Sequence, residues 1–388
     1  MRKILIVTTC IDDWGGSEEL WGRSTPFLQE AGFEISIVKE NINKQHPEYI
    51  KLAENNIKLI EIFPRKSTAF RIKKKAGKLF TKIAIGLKMA QYGGEDFSNY
   101  IKILKNNTPE LVIISQGINF DGLKLAYQCS KLEIPYVVIA QKAVDFYWPY
   151  FTDRDSMSEA LSKSQRIFFV SKHNLRLTEE QFGKRLTNGH VIFNPMKLSG
   201  KVVPFPKSEK IFKLACLGRL FLLDKGQDIL IRIMSEQKWK ERPIMISFIG
   251  KGNDEKALKE MAALLGVSNV EFKGQIDDVE SMWKDYHALI LPSRSEGLPL
   301  SMVEAMSAGR PVIISNAGGN AELVEEGKTG FIGYPNEQSF SDAMERAWDE
   351  RHNWEEIGLN AAKHIAQVVP KLPEKDFAKI IIKMLNVN

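Results

Sequence analysis

Short apolar runs rich in valine and isoleucine alternate with longer mixed stretches from one end of the chain to the other. In the first half the runs occupy 3–8, 34–38, 58–62, 111–115, 136–140, 167–170 and 190–193. In the second half they occupy 213–217, 244–249, 269–273, 287–292, 311–315 and 330–332. Between them apolar residues return every three or four positions, the spacing of one helix face. Strand and helix in regular alternation predict parallel sheets built from βαβ units. The two series are separated by Asn194-Pro195 and the stretch KLSGKVVPFPKSEK, 197–210, whose prolines, lysines and lack of helical period predict a linker. Two domains follow, 1–195 and 211–370. A last helix near 373–386 carries Phe377, Ile380, Ile381, Met384 and Leu385 on one stripe, so it must pack on something.

Composition narrows the class. The chain has 388 residues, 44% hydrophobic and 26% charged, as ordinary globular proteins do. Cys10, Cys129 and Cys216 are isolated and the six histidines show no ligand spacing, so neither a disulfide framework, a zinc site nor any other metal site is expected. A reducing cytosol is the natural compartment. The start, MRKILIVTTCIDDW, reads as a first strand and not a signal peptide, because Asp12-Asp13 closely follow its short apolar run. No apolar run reaches the ~18 residues of a membrane span.

The net charge of +6 is modest but unevenly spread. The stretch RKSTAFRIKKKAGKLFTKIAIGLKMA, 65–90, contains arginines and lysines and no acid, which leaves the remainder slightly acidic. Phe70, Leu79, Phe80 and Ile83 are among the apolar residues interleaved with them. That mixture suits an anionic membrane surface, where basic residues contribute about 1 kcal/mol each and apolar side chains sink to the headgroup boundary. A solvated loop is the plainer alternative. No nucleic-acid recognition motif accompanies the charges, so nucleic acid is not expected as a partner.

The densest chemistry lies in LPSRSEGLPLSMVEAMSAGRPVIISNAGGNAELVEEGKTGF, 291–331. An apolar strand runs into a loop carrying Glu296, a short helix carries Glu304, and a second strand ends in Ala317-Gly318-Gly319. Two carboxylates thus flank one strand-to-helix junction at the carboxyl end of a parallel strand, where open α/β sheets bind ligands. Gly297 and Pro299 let backbone pass close to a ligand, and the helix start offers N–H groups suited to phosphate oxygens. Ser301-x-x-Glu304 also fits a capping box, in which Glu304 would merely close the helix.

This segment resembles the E-x7-E region of the retaining glycosyltransferases of family 4 (glycosyl transferases group 1), and the match continues through Gly318-Gly319, Glu322 and Gly327 to Phe331. The resemblance implies a GT-B fold, two Rossmann-like domains facing each other across a cleft, with the C-terminal helix (373–388) returning to the first. It implies that Glu296 faces the transferred sugar, that Glu304 holds ribose hydroxyls, and that the amides of Gly297 and Leu298 approach the diphosphate or sugar. Arg219 and Lys225, in GRLFLLDKGQ, stand where the family contacts donor phosphates. Two cations there would steady a diphosphate leaving group. Gly250, in GKG, and Gly274, in EFKG, close the next two strands, the latter where the family lies along the base; tight turns are the equal alternative for a GxG. Gly15-Gly16 match a loop facing the donor diphosphate and the acceptor, with Ser17 as a candidate N-cap and Glu18 and Glu19 in the first turn.

One departure is Gln141, where many members have a histidine contacting the donor sugar. Glutamine donates a hydrogen bond but carries no proton for a general base. The expected function is therefore glycosyl transfer with retention from a UDP- or GDP-sugar to a carbohydrate or lipid-linked acceptor. No cofactor or metal would be needed, at a cytoplasmic location peripheral to the inner face of the membrane. The resemblance is strong over 211–332 and looser over 1–195. A nucleotide-sugar epimerase, a phosphorylase and a non-catalytic partner subunit stand as alternatives, since fold does not settle function.

Overall fold

The computed structural model describes residues 2–62, 98–207 and 210–386. The basic stretch 65–90, and with it the expected membrane contact, lies outside the described residues. Two compact units are present, Met1–Ile139 with Tyr150–Ile167, and Ala140–Pro149 with Phe168–Asn388.

The first sheet contains β1 (Arg2–Thr8), β2 (Phe33–Lys39), β3 (Lys58–Glu61), β4 (Leu111–Ser115), β5 (Tyr136–Ala140), β6 (Arg166–Phe169) and β7 (Gly189–Val191). Their order is β3-β2-β1-β4-β5-β6-β7. The second contains β8 (Phe212–Leu217), β9 (Ile244–Ile249), β10 (Val270–Gly274), β11 (Ala288–Leu291), β12 (Val312–Ser315) and β13 (Gly330–Gly333), in the order β10-β9-β8-β11-β12-β13. Every run predicted as a strand is a strand. The architecture is two parallel, Rossmann-like sheets.

Parallel pairing explains why the strands read as unbroken apolar runs. Helices cover both faces of such a sheet, so inner strands have no polar side. β4 and β5 are buried at every position. Val7 of β1 lies between Val38 of β2 and Ile114 of β4, and Leu214 of β8 lies between Ile246 of β9 and Ala288 of β11. In each sheet the strand order reverses beside its first strand, between β1 and β4 and between β8 and β11. The carboxyl ends flanking such a reversal diverge and leave room for a ligand.

The stretch between β7 and β8 holds no helix or strand among its described residues, yet it is tied down. The guanidinium of Arg310, fully buried, donates to Val203 O at 3.0 Å, Pro204 O at 2.7 Å, Tyr286 O at 2.8 Å and Trp283 O at 2.6 Å. Burial pushes this arginine down to about 10. Nothing in the sequence marks Arg310 for the task, since its partners are backbone carbonyls. In the last helix, Pro373–Asn386, the buried stripe is Phe377, Ala378, Ile381 and Leu385, and Phe377 meets the ring of Phe168 at 4.8 Å.

Candidate functional site

At the reversal of the second sheet, β8 ends at Leu217 and β11 at Leu291, and each strand feeds a loop carrying charge. After β8 comes a four-residue helix, Leu222–Lys225, that stops at Gly226 (φ 62°). Lys225 ends this helix, and Gly226 caps the next one, Gln227–Met234. A Cβ at Gly226 would overlap the carbonyl of Pro292, so glycine lets the two loops touch. The result is a direct bond. Lys225 Nζ donates to Glu296 Oε1 at 2.6 Å, and Ser293 Oγ donates to the same oxygen at 2.7 Å. Both side chains are largely buried, 19% exposed for Lys225 and 8% for Glu296. The predicted acid and one predicted cation are therefore held together.

A second acid organises the surrounding charges. Asp224 Oδ1 accepts from Lys142 Nζ at 2.8 Å, and Arg219 stands 4.0 Å from Asp224 Oδ2. The backbone carbonyl of Asp224 accepts from the amides of Arg294 and Ser295, which fixes the loop carrying Glu296. Burial lowers the Lys142 ammonium below the ordinary lysine value, against the pull of Asp224 and Glu296, with Lys225 adding to the lowering. Three cations thus stand near Asp224 and Glu296: Lys225 and Lys142 enclosed, and Arg219 with a side chain 56% exposed. Beneath them Arg294 clamps Asp228 with two bonds of 2.6 and 2.8 Å. Asp224 and Ser293 were missed as site residues; both stand in the quoted motifs but have no signature of their own.

Glu304 lies on the helix Leu300–Ser307, whose cap is Pro299 with no side-chain bond. The Ser301/Glu304 capping box is absent. Glu304, buried to 6% exposure, instead accepts from the amide of Lys197 at 3.0 Å. The N-cap predicted at Ser17 is also corrected. The helix Gly16–Glu30 is capped at Gly15, whose amide donates to Glu18 Oε2 at 3.0 Å, and Ser17 Oγ donates to the same oxygen at 2.6 Å. Burial raises the Glu18 carboxyl above its ordinary value. Gly15 thus closes the turn after β1 and Gly16 opens the helix, at the reversal of the first sheet.

Several glycines serve backbone contact. A Cβ at Gly297 would overlap Gln141 O, one at Gly318 would overlap Glu296 O, and one at Gly250 would overlap Gly218 O. Gly250 N also bonds Gly274 O at 2.7 Å, which joins the ends of β9 and β10. Gly274 (φ 69°) has open space where a Cβ would stand. Leu298 is buried in the apolar cluster containing Met302 and Val303. Gln141 Oε1 accepts from Asn194 Nδ2 at 2.8 Å. Glu322 accepts from the amides of Lys172 and His173 at 3.0 and 2.6 Å, closing the start of the helix Lys172–Phe182. No group of three or more potential metal ligands occurs among the described residues.

Residues 202–364 match the family Glycosyl transferases group 1. An uncharacterized glycosyltransferase of Haemophilus influenzae is 25% identical over 86% of this chain and 86% of its own length. D-rhamnosyltransferase WbpZ of Pseudomonas aeruginosa is 31% identical over 37% of this chain and 38% of its own. Among solved structures, Anabaena HepE in complex with UDP superposes with a TM-score of 0.73 at 17% identity, covering 98% of this chain and all of that one. The fold is GT-B, and glycosyltransferase relatives support a transferase enzyme.

Proposed function

We propose that this chain transfers a sugar from a UDP- or GDP-sugar to an acceptor hydroxyl with retention of configuration, in polysaccharide, lipid-linked oligosaccharide or glycolipid synthesis. The observation that carries the reading is the Lys225–Glu296 pair at the β8/β11 reversal, with Arg219 on the same edge. A carboxylate there faces sugar hydroxyls, while cations neutralise a departing diphosphate, which in a low-dielectric site is the largest source of rate acceleration. An ammonium has three donors, and Glu296 takes one from Lys225.

In this mechanism the diphosphate leaves against Arg219 and Lys225. Its oxygen accepts the proton of the incoming hydroxyl on the face from which the leaving group departs. Front-face attack of this kind retains configuration without a covalent nucleophile. Glu304 holds the ribose, Gln141 donates to a sugar or phosphate oxygen, and no metal is required. The basic stretch 65–90 brings the enzyme to an anionic membrane; replacing Lys73, Lys74 and Lys75 by Glu should abolish low-salt sedimentation with anionic vesicles.

The test is a thermal-shift screen of UDP- and GDP-sugars on the purified chain. A donor at 100 times its dissociation constant raises stability by about 2.7 kcal/mol. No response to any nucleotide sugar would overturn the proposal. Transfer to free phosphate, or epimerised donor without acceptor, would move it to another reaction class.

A further inference from the structure

Two residues past β5, Lys142 lies in the same compact unit as Asp224, Lys225 and Glu296. None of the donor contacts proposed for this site involves it. Its Nζ stands 2.8 Å from Asp224 Oδ1, and the two side chains are 14% and 13% exposed. Asp224 precedes Lys225 on the helix Leu222–Lys225, so two ammoniums are tied to one short element. Lys142 is tied through Asp224, and Lys225 through its own bond to Glu296.

The setting is fixed on both sides. Gln141 bonds Asn194, and its carbonyl backs Gly297. The Asp224 carbonyl holds the amides of Arg294 and Ser295. A buried ion pair brings little stability over an apolar pair of the same shape, because both charges leave water. Charged groups enclosed in a cleft are more often kept for work on a ligand. Burial, with Lys225 adding to it, holds the Lys142 ammonium below the ordinary lysine value although Asp224 and Glu296 pull the other way. An anion bound by both ammoniums relieves that strain.

Lysine binds phosphate as a point charge with three donors, and Lys142 places one of them on Asp224. We propose that Lys142 is a further cation for the donor's diphosphate, aimed by Asp224 as a positioning residue, a role that rests on the transferase reading. As the anomeric C–O bond breaks, its electron pair passes to the diphosphate oxygen and adds one negative charge. The acceptor oxygen bonds the anomeric carbon, and its proton ends on the diphosphate. Lys142 keeps its own proton and stabilises the charge that develops.

Calorimetry with UDP and with GDP compares the full wild-type chain with Lys142→Met and with Lys142→Met/Asp224→Asn. The single change strands a buried carboxylate. The paired change strands none and leaves the net charge of the site as it was. Both variants, each with a cooperative urea transition as proof of folding, should bind the diphosphate about tenfold or more weakly, a change of about 1.4 kcal/mol. Should Lys142→Met fail to fold, the paired variant still decides. Wild-type affinity in either variant would overturn the inference, since a merely structural pair is satisfied once both charges are gone, whereas a lost phosphate contact is not restored. If neither UDP nor GDP binds the wild type, the transferase reading falls and the role of Lys142 with it. If the wild type binds one of them and the variants bind it equally well, only the role of Lys142 falls.

Discussion

Replacing Glu296 by alanine probes the chemistry and the architecture together. Its carboxylate lies 2.6 Å from Lys225 Nζ, with both side chains mostly enclosed. At an effective dielectric near 20, two unit charges at that separation attract by about 6 kcal/mol before desolvation is counted. Removing one partner strands the other, and a broken buried pair costs about 3–5 kcal/mol. Ser293 Oγ loses its acceptor as well. Lys142, which burial already pushes below the ordinary lysine value, would face Lys225 with less opposing charge. Glu296→Ala should therefore lose about 3 kcal/mol of stability, and Lys225→Ala a similar amount. The double variant should lose clearly less than their sum, because no charge is left unpaired. Urea unfolding followed by tryptophan fluorescence measures this cycle. In single-turnover transfer, Glu296→Ala should slow the chemical step by ~2.7–4 kcal/mol, the scale of one lost electrostatic contact. Strict additivity in the cycle would show that the pair is not coupled. Normal turnover in both Glu296→Ala and Arg219→Ala would refute the site assignment.

Glu304→Ala should weaken donor binding with little change in the chemical step, by about 1.5–3 kcal/mol for each hydrogen bond lost to a charged group; calorimetry with the donor reads it, and an unchanged dissociation constant would remove Glu304 from the ribose. Asp228 sits below its ordinary value of 3.8: burial alone would raise it, but Arg294 and Arg232 more than offset that. The folded chain thus binds this proton less tightly than the unfolded one, so the pair adds stability above about pH 4 that fades as pH falls through the lowered value. Asp228→Asn should flatten that acid-side slope in urea midpoints measured from pH 5 downward, and an unaltered slope would contradict the assignment. Arg310→Met should destabilise the second unit by more than about 3 kcal/mol, since each orphaned buried carbonyl costs about 1–3; a wild-type urea midpoint would show that those bonds matter little.

The sequence by itself determined the strands, their parallel character and the place of the charged loops. Burial on both faces writes itself into unbroken runs such as Leu111–Ser115, and turn chemistry brackets each run. Glu296 and Glu304 were legible because their spacing around one junction is local. What the sequence did not carry was partnership. Lys225 and Glu296 lie 71 positions apart, and Glu304 and Lys197 107. Glu322 closes a helix 150 positions away, and Arg310 gathers carbonyls that have no side-chain signature. The glycines were readable as positions without side chains, but not as places where Gln141 O, Glu296 O or Gly218 O would come to rest. Periodicity records only whether a residue is buried. Which two buried residues meet depends on strand order, and strand order is decided by packing whole elements against each other.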